Sequence, residues 1–187
     1  ATYTREVFSS FPDQVIVIRL SANRPASISF SATMTRQQDT TTDALSKDTL
    51  VLASTPMRQG LIRFRAELKA GAEGGVVSTA KDTLTVDKAD SVTLVLAAGT
   101  NLDRPDIHAD LRAAAKPYAA LRERAVADHA KYFRRAWLQL GSATDPLADV
   151  PTDERLRRAA AGSADEHLLM LYFQYGRYLL IASSRPD

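Results

Sequence analysis

Residues Ile28 to Met34, ISFSATM, alternate apolar and polar without a break: Ile28, Phe30, Ala32 and Met34 on one side, Ser29, Ser31 and Thr33 on the other. A period of two is the signature of a β-strand with one face buried, because successive side chains point to opposite faces. The run Leu61 to Ala70, LIRFRAELKA, repeats the pattern, which predicts Ile62, Phe64, Ala66 and Leu68 inward and Arg63, Arg65, Glu67 and Lys69 outward. QVIVIRL (14–20) and SVTLVLAA (91–98) are almost continuously apolar, as central strands are.

Turn residues punctuate these runs at Asn23-Arg24-Pro25, Thr55-Pro56, Gly71 to Gly75 and Asp87 to Asp90. The first hundred residues therefore read as roughly seven strands joined by short polar turns, an antiparallel sandwich rather than a βαβ sheet. The GAEGG stretch (71–75) reads as a hairpin turn. It lacks the Lys-Ser/Thr of a phosphate loop and is not followed by a helix.

After Asn101 the period becomes helical. Asp106 to Lys116 reads as a short helix, with Pro117 opening the next. Val126, His129, Ala130, Phe133 and Trp137 form an i, i+3, i+4, i+7, i+11 stripe, and Gly141 breaks it. A polar, Pro-containing linker follows (142–153). The next helix starts with Thr152 as a candidate N-cap and Asp153 and Glu154 in the first turn, where the helix dipole favours negative charge. A last helix, Asp165 to Ala182, is apolar nearly all round, the pattern of a helix that lies inside a core.

The composition, 45% hydrophobic and 25% charged over 187 residues, is that of a globular chain. With a formal charge of +2, the balance argues neither for nor against nucleic acid. The helical stretch 109–140 is basic: Arg112, Lys116, Arg122, Arg124, Lys131, Arg134 and Arg135 outnumber Asp110, Glu123 and Asp128. Interleaved acids point to a solvated, salt-bridged helix rather than a nucleic-acid face. Cysteine is absent, which removes a disulfide frame and a thiolate nucleophile. The longest apolar run, Leu168 to Phe173, is far shorter than the ~20 residues of a membrane span. Any export signal is expected upstream of Ala1, and both ends read as cut rather than finished.

Few residues offer chemistry. His108, His129 and His167 have no mutual ligand spacing, so structural roles are expected, with His129 a hydrogen-bonded packing histidine. Asp153-Glu154 and Asp165-Glu166 sit at helix starts and read as capping residues, not as carboxyl groups facing each other across a glycosidic bond. Arg177 lies inside the apolar last helix and requires a carboxylate partner or a wet cavity; Arg185 near the C-terminus raises the same question.

The segments YTREVFSSFPDQVIVIRLSA, ADSVTLVLAAGTN, YAALRERAVADHAKYFRRAWLQLG, PTDERL and above all LYFQYGRYLLIASSRPD resemble glycoside hydrolase family 95, in the same order from Tyr3 to Pro186. Lys131 stands where that family often has Asp, and Asp187 where it usually has Gly. The resemblance implies a partial β-sandwich over 1–102, a helical linker over 103–150, and over 151–187 the opening helices of an (α/α)₆ barrel. It also implies an inverting α-L-fucosidase acting on fucosylated oligosaccharides or cell-wall glycans, secreted or periplasmic, with no metal or organic cofactor. The family's acid, base and water-positioning residues lie downstream of the segment matching SSRP, so no catalytic, metal-binding or cofactor-binding residue is expected among these 187. The competing expectation is a stand-alone sandwich that binds carbohydrate or protein and self-associates through its last helix.

Overall fold

The computed structural model describes residues 1–37, 39–54, 62–103, 106–113 and 115–184. The expected Thr55-Pro56 turn, Arg185 and Asp187 lie outside them. The chain divides into two compact units, Ala1–Val126 and Ala127–Asp187.

Nine strands are described in the first unit, not seven: β1 (Tyr3–Ser10), β2 (Val15–Ala22), β3 (Ile28–Ala32), β4 (Thr40–Ser46), β5 (Thr49–Ser54), β6 (Phe64–Glu73), β7 (Val76–Ala80), β8 (Thr83–Ala89) and β9 (Ser91–Thr100). They form a six-stranded sheet in the order β1-β2-β9-β6-β5-β4 and a three-stranded sheet in the order β3-β8-β7, with every described pairing antiparallel. This is the expected β-sandwich followed by helices.

The apolar runs explain the layering. Ile18, Leu20, Val92, Leu94, Leu68 and Leu50 meet Ile28, Leu84 and Val86 of the smaller sheet in one core. The alternate residues of the same two central strands, Val15, Val17, Val95 and Ala97, meet Ile107, Leu111, Leu121 and Tyr118 in a second core on the opposite face. Those covering residues come from α1 (Ile107–Ala113) and the first turns of α2 (Tyr118–Phe133). Strands β2 and β9 are thus apolar on both faces because both faces are covered.

The same helical layer overturns the expected outward position of Glu67. Its side chain is 0% exposed on the helix-facing side of β6, where Arg65 Nε donates to Oε1 at 2.6 Å. His108 Nδ1 on α1 lies 3.0 Å from Oε2, an ion-pair distance without hydrogen-bond geometry. Ile62, expected inward, precedes β6 and is exposed.

Two expected turns also differ. The chain from β6 to β7 is not a hairpin, because β6 pairs with β5 and β9 whereas β7 pairs with β8. Gly74 and Gly75 carry the chain from one sheet to the other, and Gly71 lies within β6. Gly75 has φ +64°, and a Cβ there would run into the backbone of Asp87 to Ala89. Of Asp87 to Asp90, only Asp90 lies outside a strand, at the return crossing from β8 to β9, and its side chain accepts from the Ala26 N–H.

Asp13, in the turn between β1 and β2, ties the helices to the sheet. Its carboxylate is buried and accepts from Ser10 Oγ at 2.6 Å, Lys116 Nζ at 3.2 Å and Arg124 Nε at 3.1 Å. Burial alone would raise its pKa, but hydrogen bonds from Ser10, Lys116 and Arg124 outweigh that and hold it below the usual value. Arg122 pairs with Glu6 and Arg112 with Asp106, so these bases of the helical stretch are salt-bridged, as expected.

Asp13→Ala is expected to destabilise the first unit by about 2–3 kcal/mol in urea unfolding, below the full penalty for a broken buried pair because Lys116 and Arg124 reach water. Since the folded-state pKa is depressed, this contribution is present above the ordinary carboxylate range and lost as pH falls through and below it. The difference between wild type and Asp13→Ala should therefore shrink in acid.

Candidate functional site

The residues matching PTDERL and the last helix lie in the second unit, which is built around one arginine. Helix α3 (Thr152–Ala160) places Arg155 at 5% exposure. Its Nε and Nη2 donate to Asp165 Oδ2 and Oδ1 at 2.8 and 2.7 Å, and Nη1 donates to Asp145 Oδ2 at 2.9 Å. Asp165 in turn caps helix α4 (Glu166–Ser183) by accepting from the Leu168 N–H at 2.8 Å, and Asp145 accepts from the Leu147 N–H at 2.9 Å. One guanidinium thereby fixes the linker, α3 and the start of α4. Two-point pairing with a carboxylate suits its planar fork.

The electrostatics follow the geometry. The Arg155 hydrogen bonds, aided by the Leu168 N–H, prevail over desolvation and hold the Asp165 carboxyl down at about 2. Asp145 is also lowered: desolvation opposes this, and the Leu147 N–H and Arg155 overcome it. Arg155 itself is raised, chiefly by the hydrogen bond to Asp165. Beside this centre His167 is buried; its Nε2 donates to the Ser142 carbonyl at 2.9 Å. Gly141, expected to break a helix, has φ +68°, and a Cβ there would collide with the Glu166 carboxylate.

Each residue singled out from sequence has a position. Asp165 is a cap as expected. Thr152 is not: Pro151 occupies the N-cap, no side-chain bond closes it, and Thr152 is the first helical residue. Glu154 pairs with Arg157 and Arg158 within α3. The stripe from Val126 stops at Phe133, where α2 ends, so Trp137 lies outside the helix and is 70% exposed. His129 packs between Phe133 and Tyr178, with ring centroids 5.3 and 5.4 Å away, but among the described residues its Nε2 has no hydrogen-bond partner, against expectation. No group of three or more metal-ligating residues occurs among the described residues.

Among the described residues Arg177 makes no ion pair with a carboxylate; a backbone carbonyl and an amide take its place. Nη2 donates to the Phe133 carbonyl at 2.6 Å, Nη1 donates to Gln174 Oε1 at 2.6 Å, and the guanidinium lies 4.7 Å from the Phe133 ring centroid. The carbonyl end of α2 carries partial negative charge, which serves in place of a carboxylate. Sequence reading missed this, and it missed the Arg155 centre, since Asp145, Arg155 and Asp165 are ten residues apart and share no helical period. The available clue was that an arginine on a short helix stood beside several acidic residues.

Much of the apolar surface of α4 is exposed. Leu169, Leu171, Tyr172, Phe173, Tyr175 and Leu180 are all exposed in these 187 residues, and only His167 and Leu168 of this helix are buried. Contiguous exposed apolar surface of this extent is uncommon on monomeric proteins. No described helix is long and apolar enough to cross a membrane.

Residues 117–187 match the sequence model of the glycosyl hydrolase family 95 catalytic domain, and residues 1–105 that of the glycosyl hydrolase family 65 N-terminal domain. Over 98% of its length the chain is 30% identical to alpha-L-fucosidase 2 of Arabidopsis thaliana, covering 26% of that protein. Over 97% of its length it is 30% identical to probable alpha-fucosidase A of Aspergillus niger (strain ATCC MYA-4892 / CBS 513.88 / FGSC A1513), again covering 26%. The chain spans about a quarter of the length of these curated relatives.

Because the Asp165 pKa is depressed from 3.8 to about 2, its stabilisation is complete above about pH 4 and lost as pH falls toward about 2. Circular dichroism of the helices should follow that window. Asp165→Asn, which keeps a capping side chain but removes the charge, is expected to unfold more easily at pH 7 and to lose the acid transition. In a separate test, Arg155→Lys should destabilise the second unit nearly as much as Arg155→Met, since an ammonium cannot span both carboxylates. Thermal unfolding of the two variants measures this.

Proposed function

We propose that the chain is part of a glycosyl hydrolase family 95 protein, and that these residues are scaffold for an inverting α-L-fucosidase whose catalytic carboxylates lie outside the 187. The observation that carries this reading is the 30% identity, over nearly the whole chain, to a quarter of two proteins named as fucosidases. The bare apolar surface of α4 supports it, since such a helix needs further helices around it. We read it as one of the opening helices of an (α/α)₆ barrel, with the β-sandwich and helical linker before it.

Inversion requires a carboxylic acid that protonates the leaving oxygen and a carboxylate that activates water on the opposite sugar face, with about 6.5–9.5 Å between them. In the family 95 segment, Asp145 and Asp165 are committed to Arg155, and Asp153 and Glu154 to Arg157. Carboxylates so neutralised hold a framework and are poorly placed to move protons. The substrates we propose are fucosylated oligosaccharides or cell-wall glycans, met after export of the enzyme.

Two measurements test this reading. An antibody to this chain should detect a native polypeptide several-fold heavier than 20.4 kDa, and that polypeptide should release L-fucose from α-L-fucosides with the β-anomer appearing first by proton NMR. Glu154→Gln in the native-length protein should leave kcat of the same order. A loss of about 10²–10⁴-fold, the usual worth of a general acid or base, would place catalysis within these residues and sink the scaffold reading.

A further inference from the structure

The structure divides the bases of the helical stretch 109–140 into two sets. Arg112, Lys116, Arg122 and Arg124 are paired with Asp106, Asp13, Glu6 and Asp13 in turn. Lys131, Arg134 and Arg135 are exposed, and among the described residues none of them reaches a carboxylate. From His129 to Thr144 the chain carries these three cations and no acid. The acids that flank this segment are already placed: Asp128 has its Oδ2 buried, and Asp145 is held by Arg155. The dipole at the end of α2 favours a cation there, yet the Phe133 carbonyl is already occupied by Arg177. The three bases therefore exceed what the fold uses.

Two aromatic rings lie among them. Lys131 Nζ is 5.5 Å and Arg135 Cζ 5.2 Å from the centroid of the Tyr132 ring, both within the range of a cation–π contact. These contacts restrain two long side chains, so less freedom is lost when they bind an anion. Trp137 stands two residues beyond Arg135 and is 70% exposed. Two residues of chain span at most about 7 Å, so the indole and the guanidinium share one small surface. An indole beside guanidinium groups suits a ligand that offers both an apolar ring face and a carboxylate. The C–H face of a sugar ring stacks on the electron-rich face of an aromatic ring. The planar fork of arginine binds a carboxylate at two points. A uronic acid in a glycan chain presents both features in one residue.

We propose that Lys131, Arg134, Arg135 and Trp137 form a binding surface for an acidic glycan, a sugar chain that bears uronates. Trp137 stacks on a ring of that chain, and the three cations meet its carboxylates. The surface narrows the substrates of the fucosidase to fucosylated glycans with an acidic region, held at a distance from the bond that is cleaved. The choice of a sugar over another polyanion rests on the fucosidase reading, whereas the affinity for an anion rests on these residues alone.

The test is titration calorimetry of the native-length protein with oligogalacturonate. Binding is expected, weakened by added salt because the charges are exposed, and lost when the carboxyl groups of the oligomer are reduced to alcohols. The double variant Arg134→Ala, Arg135→Ala and the single variant Trp137→Ala should each weaken binding at least about tenfold. Lys47→Ala, which removes an exposed base in the β4–β5 turn, should leave it unchanged. Fucose release from a small aryl α-L-fucoside should be the same in every variant, which also shows that each one folds. Failure to bind oligogalacturonate, or binding that survives both patch variants, overturns the proposal even if the protein is an active fucosidase. Equal affinity for single-stranded DNA of the same charge assigns the patch to polyanions at large and overturns the sugar assignment. Selective binding by a protein that releases no fucose supports the surface and removes the fucosidase reading instead.

Discussion

Burial of β2 and β9 on both faces is the constraint on which the first unit depends. A strand apolar on both faces must be sandwiched, and here one set of side chains meets the smaller sheet while the alternate set meets α1 and α2. The polar interruptions are satisfied within that arrangement. Arg19 of β2, for example, reaches Thr93 at 2.7 Å and Glu73 at 2.9 Å. Asp13 is the polar counterpart of the second core, joining the β1–β2 turn to two bases of the helical layer.

The second unit is organised differently. Its described buried residues are Arg155, His167 and Leu168, and the two polar ones belong to the network that also holds Asp145 and Asp165. A buried ion pair specifies geometry better than it adds stability, because desolvation offsets most of the attraction. The apolar residues of α4, by contrast, stay largely exposed. Arg177 adds a second polar tie, from the middle of α4 to the carbonyl end of α2.

Strand and helix type were legible wherever periodicity was sustained: ISFSATM lies along β3, QVIVIRL and SVTLVLAA are interior strands, and the last apolar run is α4. Positions failed where a distant element intervened. Glu67 keeps the polar beat of an outward residue, yet α1 covers it. GAEGG has the composition of a hairpin, but composition does not state whether the flanking strands pair with each other. Trp137 keeps the helical spacing after the helix has ended, since spacing records a pattern and not whether the backbone still follows it.

The sequence by itself determined the class of the chain, strands then helices, and through its motifs the resemblance to glycoside hydrolase family 95. These are properties of local period and of short ordered segments. Only the tertiary structure decided the strand order, the burial of Glu67, the partner of Arg177 and the joining of Asp145, Arg155 and Asp165. Each of these depends on residues that chain folding brings together from separate elements, and no local rule of period or propensity encodes which distant element will supply the partner.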